Sequence, residues 1–193
     1  MDAVSDRRTE MGHASPAVEQ IALMIEELPT LLGRFLVGFN ELTRIAQAPN
    51  MPNHVIWTLG HLSLYHHRSV ERILRLEPGP LPEGDFVTAD GRAGDAWRFD
   101  TESVCFSSTP IADSAIYPTL ERGIEIHTAA CGRLAASVRE VGDELFVRQV
   151  EWGTSGPRFS AAILAMRIVH HVGSHAGQIL DLRRARGMPR VIN

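Results

Sequence analysis

Apolar residues recur along this chain at intervals of three and four, the repeat of a helix that turns one face away from water. The first such stretch is SPAVEQIALMIEELPTLLGRFLVGF, in which Ile21, Met24, Ile25 and Leu28 follow helical spacing. Ser15 is a good N-cap, Pro16 suits the first helical position, and Glu19 stands near where a capping box places its acid. Pro29 should kink or split the helix. The second stretch, NHVIWTLGHLSLYHHRSVERILRL, carries Val55, Leu59, Leu62, Val70 and Ile73 in register, with Asn53 placed to cap it. EPGPLPEGD forbids its continuation.

Residues 77–117 form a long connection rich in Gly, Pro, Asp and Ser. Connections of this length are uncommon in compact domains and need a reason. A crossover spanning the length of a helical bundle, so that the helices it joins run parallel, supplies one. The aromatics of DAWRFD and SVCFSS suggest that part of it packs.

A third helix is predicted over YPTLERGIEIHTAACGRLAASVREVG, with Pro118 at its start and Gly142 near its end. FVRQVEW has some strand alternation, and GTSGP is a turn signal. The fourth helix runs from about Ser160 to Arg186, with Gly187 as its terminal residue, Pro189 just beyond, and four arginines near its negative dipole end. Four long helices with no convincing sheet predict an all-α four-helix bundle. Residues 1–14 are polar and read as a flexible N-terminal tail; residues 15–193 read as one domain.

Composition narrows the function. Hydrophobic content of 44% and charged content of 22% are ordinary for a soluble globular protein, and 193 residues suffice for one sizeable core. A net charge of -4 suggests neither a nucleic-acid nor an anionic-membrane partner. All 19 basic residues are arginine, which excludes a Schiff-base lysine. The two cysteines, Cys105 and Cys131, form no CxxC, so neither a disulfide framework nor a Cys-rich zinc site is expected. With no apolar signal core at the start and no run of transmembrane length, the expectation is a soluble cytoplasmic protein.

The candidate chemistry lies in nine histidines. In the last helix, Leu164, Ile168, His171, His175, Ile179 and Leu182 form one stripe, so His171 and His175 should point inward together. His170 is about 100° away and belongs to the rim or surface. Two histidines four apart can share a metal ion, but Val172 stands where HExxH has its glutamate, so a metalloprotease is rejected. Taken alone, the pair fits satisfied core histidines equally well.

A third ligand shifts the balance toward an open catalytic site. His61, in WTLGHL, shares a helical line with Trp57 and Leu64, and Gly60 beside it leaves room for close approach of a helix or ligand. His66 and His67, in the more polar YHHRSVER, read as surface or rim; His54 lies near the cap, and His127 is a weaker candidate for the same cavity. A diiron carboxylate site needs Glu-x-x-His on two helices, and the only match is EMGH in the tail. No CxxCH is present, and spacing alone leaves b-type haem open. Cys131 reads as a small core residue rather than a nucleophile.

These motifs resemble the DinB-like (YfiT-like) metal-binding four-helix bundles. A histidine in a W-x-x-x-H context followed, after a long gap, by H-x-x-x-H-x-G-Q corresponds to Trp57, His61, His171, His175, Gly177 and Gln178. The resemblance runs from about Ala17 to Pro189 and includes YPTLERG and RRARGMP. It implies an up-down-down-up bundle with a long crossover between the second and third helices. It also implies a divalent metal ion, zinc or nickel, held by His61, His171 and His175, and a homodimer. Relatives include thiol-dependent S-transferases, a mycothiol-dependent maleylpyruvate isomerase and metal-dependent hydrolases of unassigned substrate. A small-molecule substrate is therefore expected, with a low-molecular-weight thiol as cofactor or water in its place. A non-catalytic metal-binding or stress-response role is the alternative. Gln178 could orient a ligand or buttress the helix, and Gly177 could permit close helix packing.

Overall fold

The computed structural model describes residues 14–76, 81–88, 94–151 and 156–191. The expected tail lies outside these except for Ala14, which is half-buried against the core. The described chain is mostly helical. In order come α1 (Pro16–Glu26), α2 (Leu28–Leu36), α3 (Val55–Leu74), β1 (Phe86–Val87), β2 (Phe99–Asp100), α4 (Thr101–Val104), α5 (Leu120–Val141), β3 (Gln149–Glu151), β4 (Arg158–Ser160) and α6 (Ala161–Ala185). Short 3-10 turns cover Ser114–Ile116 and Gly142–Phe146.

The helix ends and inward stripes follow their expected chemistry, with three departures. Ser15 accepts from the Val18 amide, and Pro29 splits the first helical stretch into α1 and α2. Glu19, however, does not close a capping box. Its carboxylate takes both Nε and Nη2 of Arg139 on α5, a bidentate charge-assisted pair across two helices. The inner stripe of α1 is Val18, Ala22 and Ile25, with Ile21 half-buried and Met24 turned outward. At α3 the cap is His54, whose Nδ1 accepts from the Trp57 amide; Asn53 lies one residue too early and its amide donates elsewhere. Thr119 and Ser160 cap α5 and α6, and both Gly142 and Gly187 take the positive φ that ends a helix cheaply only at glycine.

The core is built around α3. Fourteen of its twenty residues are buried, so it has almost no solvent face. It packs on α5 and α6; α1 packs on α5, and α2 on α6. Val55, Ile56, Leu59, Leu62, Leu64 and Ile73 are at most 1% exposed. Each such side chain contributes about 1.5–3 kcal/mol by leaving water. Among the described residues no helix is long and apolar enough to cross a membrane.

The connection between α3 and α5 packs in part. Phe86 and Phe99 pair across the parallel β1–β2 ribbon and are buried, while Trp97 and Phe106 are exposed. Phe99 and Val104 press against Gly60 of α3. A Cβ on Gly60 would lie 2.6 Å from Phe99 Cδ1 and 2.8 Å from Val104 Cγ1. The room beside Gly60 is thus taken by the crossover, through Phe99 of β2 and Val104 of the one-turn helix α4. The strand alternation after α5 appears as the antiparallel β3–β4 ribbon, with Val150 opposite Phe159, leading directly into α6.

Candidate metal centre

His61 projects from the middle of α3; His171 and His175, one turn apart, project from α6, which packs against it. His61 and His175 are buried and His171 is partly so. His171 Nε2 lies 3.2 Å from His61 Nε2 and 3.1 Å from His175 Nε2. The ligand atoms of all three lie within 4.8 Å of one another, and among the described residues they form the one such cluster able to hold a metal ion.

The outer nitrogens are held. His61 Nδ1 donates to the Val104 carbonyl at 2.9 Å, and His175 Nδ1 donates to Gln178 Oε1 at 3.0 Å. A carbonyl or amide oxygen only accepts, so both protons sit on Nδ1 and both Nε2 atoms keep their lone pairs. Gln178 Oε1 is itself anchored by Asn53 Nδ2 at 3.0 Å, which ties the start of α3 to α6. Trp57 stacks on His61 with ring centroids 4.6 Å apart and planes 16° from parallel, while its Nε1 donates to Ser108 Oγ. Each imidazole ring of the pair on α3 and α6 is therefore oriented from behind, as metal-binding histidines characteristically are.

Burial holds these imidazoles neutral. It pulls His61 down to about 4, against the Val104 hydrogen bond, and pulls His171 down to about 3 with help from its histidine neighbours. His175 is lowered as well, by burial and against Gln178. All three then offer lone pairs at neutral pH. Two nitrogens bound about 2.0–2.1 Å from one ion at angles of 90–110° stand about 2.9–3.4 Å apart. The two separations that involve His171, 3.1 and 3.2 Å, fall in that range, and three neutral imidazoles are a donor chemistry that a divalent ion of the zinc or nickel type accepts.

A cavity of about 390 Å³ opens beside the cluster. His61, Tyr65, Phe106, Phe159, Leu164, Arg167, Ile168 and His171 line it, so its wall is chiefly apolar and aromatic. That is the size and character of a small-molecule site. None of these lining residues carries a carboxylate.

The remaining histidines are placed elsewhere. His170 is exposed, in line with its helical phase. His66 and His67 are buried, contrary to the expectation of a surface position. The polar letters around them were misleading because α3 is covered on almost every side: His67 lies edge-on to Phe86 of the crossover and meets Arg133 Nη2 at 2.8 Å. His127 does not reach the metal cluster. It and His66 flank Cys131, with Nε2 to Sγ distances of 3.7 and 3.6 Å, in a separate buried group between α3 and α5. Burial pushes the Cys131 thiol up to about 12, consistent with a small core residue. His54 serves as the α3 cap and donates through Nε2 to the Ile111 carbonyl. A Cβ on Gly177 would meet nothing within 4 Å, so no close helix contact requires that glycine.

Two contributors to the site escaped the sequence reading. The Val104 carbonyl is a backbone group and has no residue-type signal. Arg167 had one: it lies four residues before His171 on the same line of the helix.

Comparison with curated proteins and with solved structures gives no match. Comparison with family models gives one over residues 23–179, which takes in α3, the crossover, α5 and α6 as far as Ile179, and with them all three clustered histidines. With most of its length matched in this way, the chain belongs to the DinB superfamily.

Proposed function

We propose that this protein is a metal-dependent enzyme that joins a low-molecular-weight thiol to a small electrophilic molecule, with His61, His171 and His175 holding one zinc or nickel ion. The observation that carries this reading is the set of three neutral imidazoles, two of which, His61 and His171, line an apolar cavity. Structural zinc sites are usually closed by four protein ligands, whereas three ligands beside a cavity suit chemistry. When bound, such an ion supplies Lewis acidity and lowers the pKa of a thiol or water at its remaining positions.

The chain's own groups do the rest. Val104 and Gln178 fix the tautomers of His61 and His175, Trp57 holds the His61 ring, and the aromatic wall takes the substrate out of water. The lining favours thiol transfer over hydrolysis. A hydrolase gains from a carboxylate or other general base near the attacking water, and no lining residue supplies a carboxylate. A thiolate is already a strong nucleophile once its proton has passed to solvent. The same proposal takes the helices as an up-down-down-up bundle with its crossover between α3 and α5, and the protein as a cytoplasmic homodimer. The packing of α3 on α5 and α6, α1 on α5 and α2 on α6 supports the bundle.

The test begins with elemental analysis of protein purified without a metal-affinity tag, followed by titration with Zn²⁺ and Ni²⁺. One ion per chain is expected, lost in His171→Ala and His175→Ala. Thiols paired with electrophiles are then screened beside esters and amides. Turnover that needs both thiol and metal supports the reading. Turnover with water alone makes the protein a hydrolase, and a chain that binds neither ion has no such centre. If metal loss lowers stability sharply and no turnover is found, the metal is structural.

A further inference from the structure

Most arginines among the described residues are occupied. Arg122 and Arg133 share Asp85, Arg139 holds Glu19 and Glu26, and Arg148 pairs with Glu144. Arg167 differs. Among the described residues it has no carboxylate partner and no hydrogen bond; its guanidinium lies over the Phe159 ring, 4.9 Å from the centroid. It also lines the same cavity as His61 and His171. Stacking on Phe159 restrains the guanidinium plane while leaving its N–H edge free, the arrangement in which arginine receives a carboxylate through two parallel hydrogen bonds.

The charge inside the cavity points the same way. Its lining holds one cation, neutral imidazoles, a phenol and apolar side chains. Three neutral ligands would also leave a divalent ion its full charge. Nothing in the described lining offsets either, so the cavity favours a negatively charged occupant over a neutral one of the same shape. Phe106, Phe159, Leu164 and Ile168 require that the rest of the occupant be apolar. A single guanidinium fork matches a single carboxylate.

We propose that the cavity binds a small carboxylate with an apolar body, and that Arg167 is the residue that recognises the carboxylate. This rests on reading the cavity as the substrate site and adds a substrate class to it. Arg167 is exposed and lies on the cavity side of α6, so its replacement should leave the fold intact.

The probes are 4-phenylbutyrate and the neutral 4-phenylbutanamide, titrated by NMR into the full chain with and without Zn²⁺. The wild type should bind the acid about three- to fivefold more tightly than the amide, the range expected of an exposed ion pair. Arg167→Gln should abolish that preference while leaving the amide unchanged, and Arg167→Lys should keep part of it. The preference should persist without zinc. A preference seen only with zinc and unaltered in Arg167→Gln would assign the anion to the ion and overturn the proposal. Equal binding of acid and amide by the wild type would overturn it too. A chain that takes up no zinc yet keeps an Arg167-dependent preference would refute the metal reading and leave this one standing.

Discussion

Gln178 Oε1 accepts the Nδ1 proton of His175 at 3.0 Å, and His175 thereby presents its bare Nε2 to His171 and His61. Gln178 is exposed, and it acts on the site through this bond and through Asn53 Nδ2, which holds the same oxygen from the start of α3. Gln178→Leu should weaken Zn²⁺ binding about 10- to 100-fold, the usual consequence of removing the partner behind a ligating histidine. Gln178→Glu should retain affinity, because a carboxylate accepts the same proton. Chelator competition measures both, and circular dichroism should show no change in helix content. Equal affinity in Gln178→Leu and wild type would make Gln178 an ordinary surface residue.

Gly60 links the crossover to the metal cluster. Adding a methyl there drives it into Phe99 and Val104, neither of which is a free side-chain end, since both are fully buried. Gly60→Ala should therefore cost about 1–3 kcal/mol by overpacking, despite the better helix propensity of alanine. The same displacement moves the Val104 carbonyl away from His61 Nδ1, so metal affinity should fall together with stability. Urea denaturation and zinc titration of the one variant test both halves. A variant as stable as wild type would show that the crossover yields at no cost.

How much of this could be read in the sequence depended on range. His171 and His175 were separable from His170 because their phase is set within one helix. His61 stood out by its apolar line with Trp57 and Leu64, but no local pattern places α3 against α6, and the full set of three rested on the motif resemblance. His66 and His67 were misplaced for the same reason: YHHRSVER looks like a solvated face, and only the packing of Phe86 and Arg133 shows otherwise. At the start of α3, Asn53 and His54 are adjacent residues that can both cap, and one residue of offset decided between them. Gln178 was legible as a residue that could orient a ligand or buttress the helix, but its partners were not, because its hydrogen bond to Asn53 needs the tertiary fold.

Arg139 ties α5 to α1 through Glu19 and Glu26, and its hydrogen bonds hold both carboxyls below their ordinary range. Lowered carboxyl pKa values stabilise the folded state above the ordinary carboxylate pKa, and that contribution is lost as pH falls through the folded values. Arg139→Met should flatten the acid limb of the stability profile, below about pH 4.5. At neutral pH the loss should be small and should shrink with added salt, because both carboxylates face solvent. Melting temperatures from pH 3 to 7, at low and high salt, test this. An unchanged acid limb would show that the three side chains do not hold together in solution.

Cys131 gives the alkaline counterpart. Its thiol is enclosed between His66 and His127, and burial pushes it up to about 12. A thiol raised in the folded state keeps its proton there while the unfolded chain ionises near its ordinary value of about 8.5. The unfolded state then holds fewer protons, so stability is complete below that value and declines as pH rises toward the folded one. Two measurements follow. In the native protein at pH 8, a disulfide reagent should react with half-buried Cys105 and leave Cys131 untouched; in denaturant both should react. Cys131→Ala should remove part of the decline in stability between about pH 9 and 11, at the cost of a small cavity between α3 and α5. Fast labelling of two thiols in the folded protein would mean that the His66–Cys131–His127 group opens readily, and that α3 and α5 do not seal it.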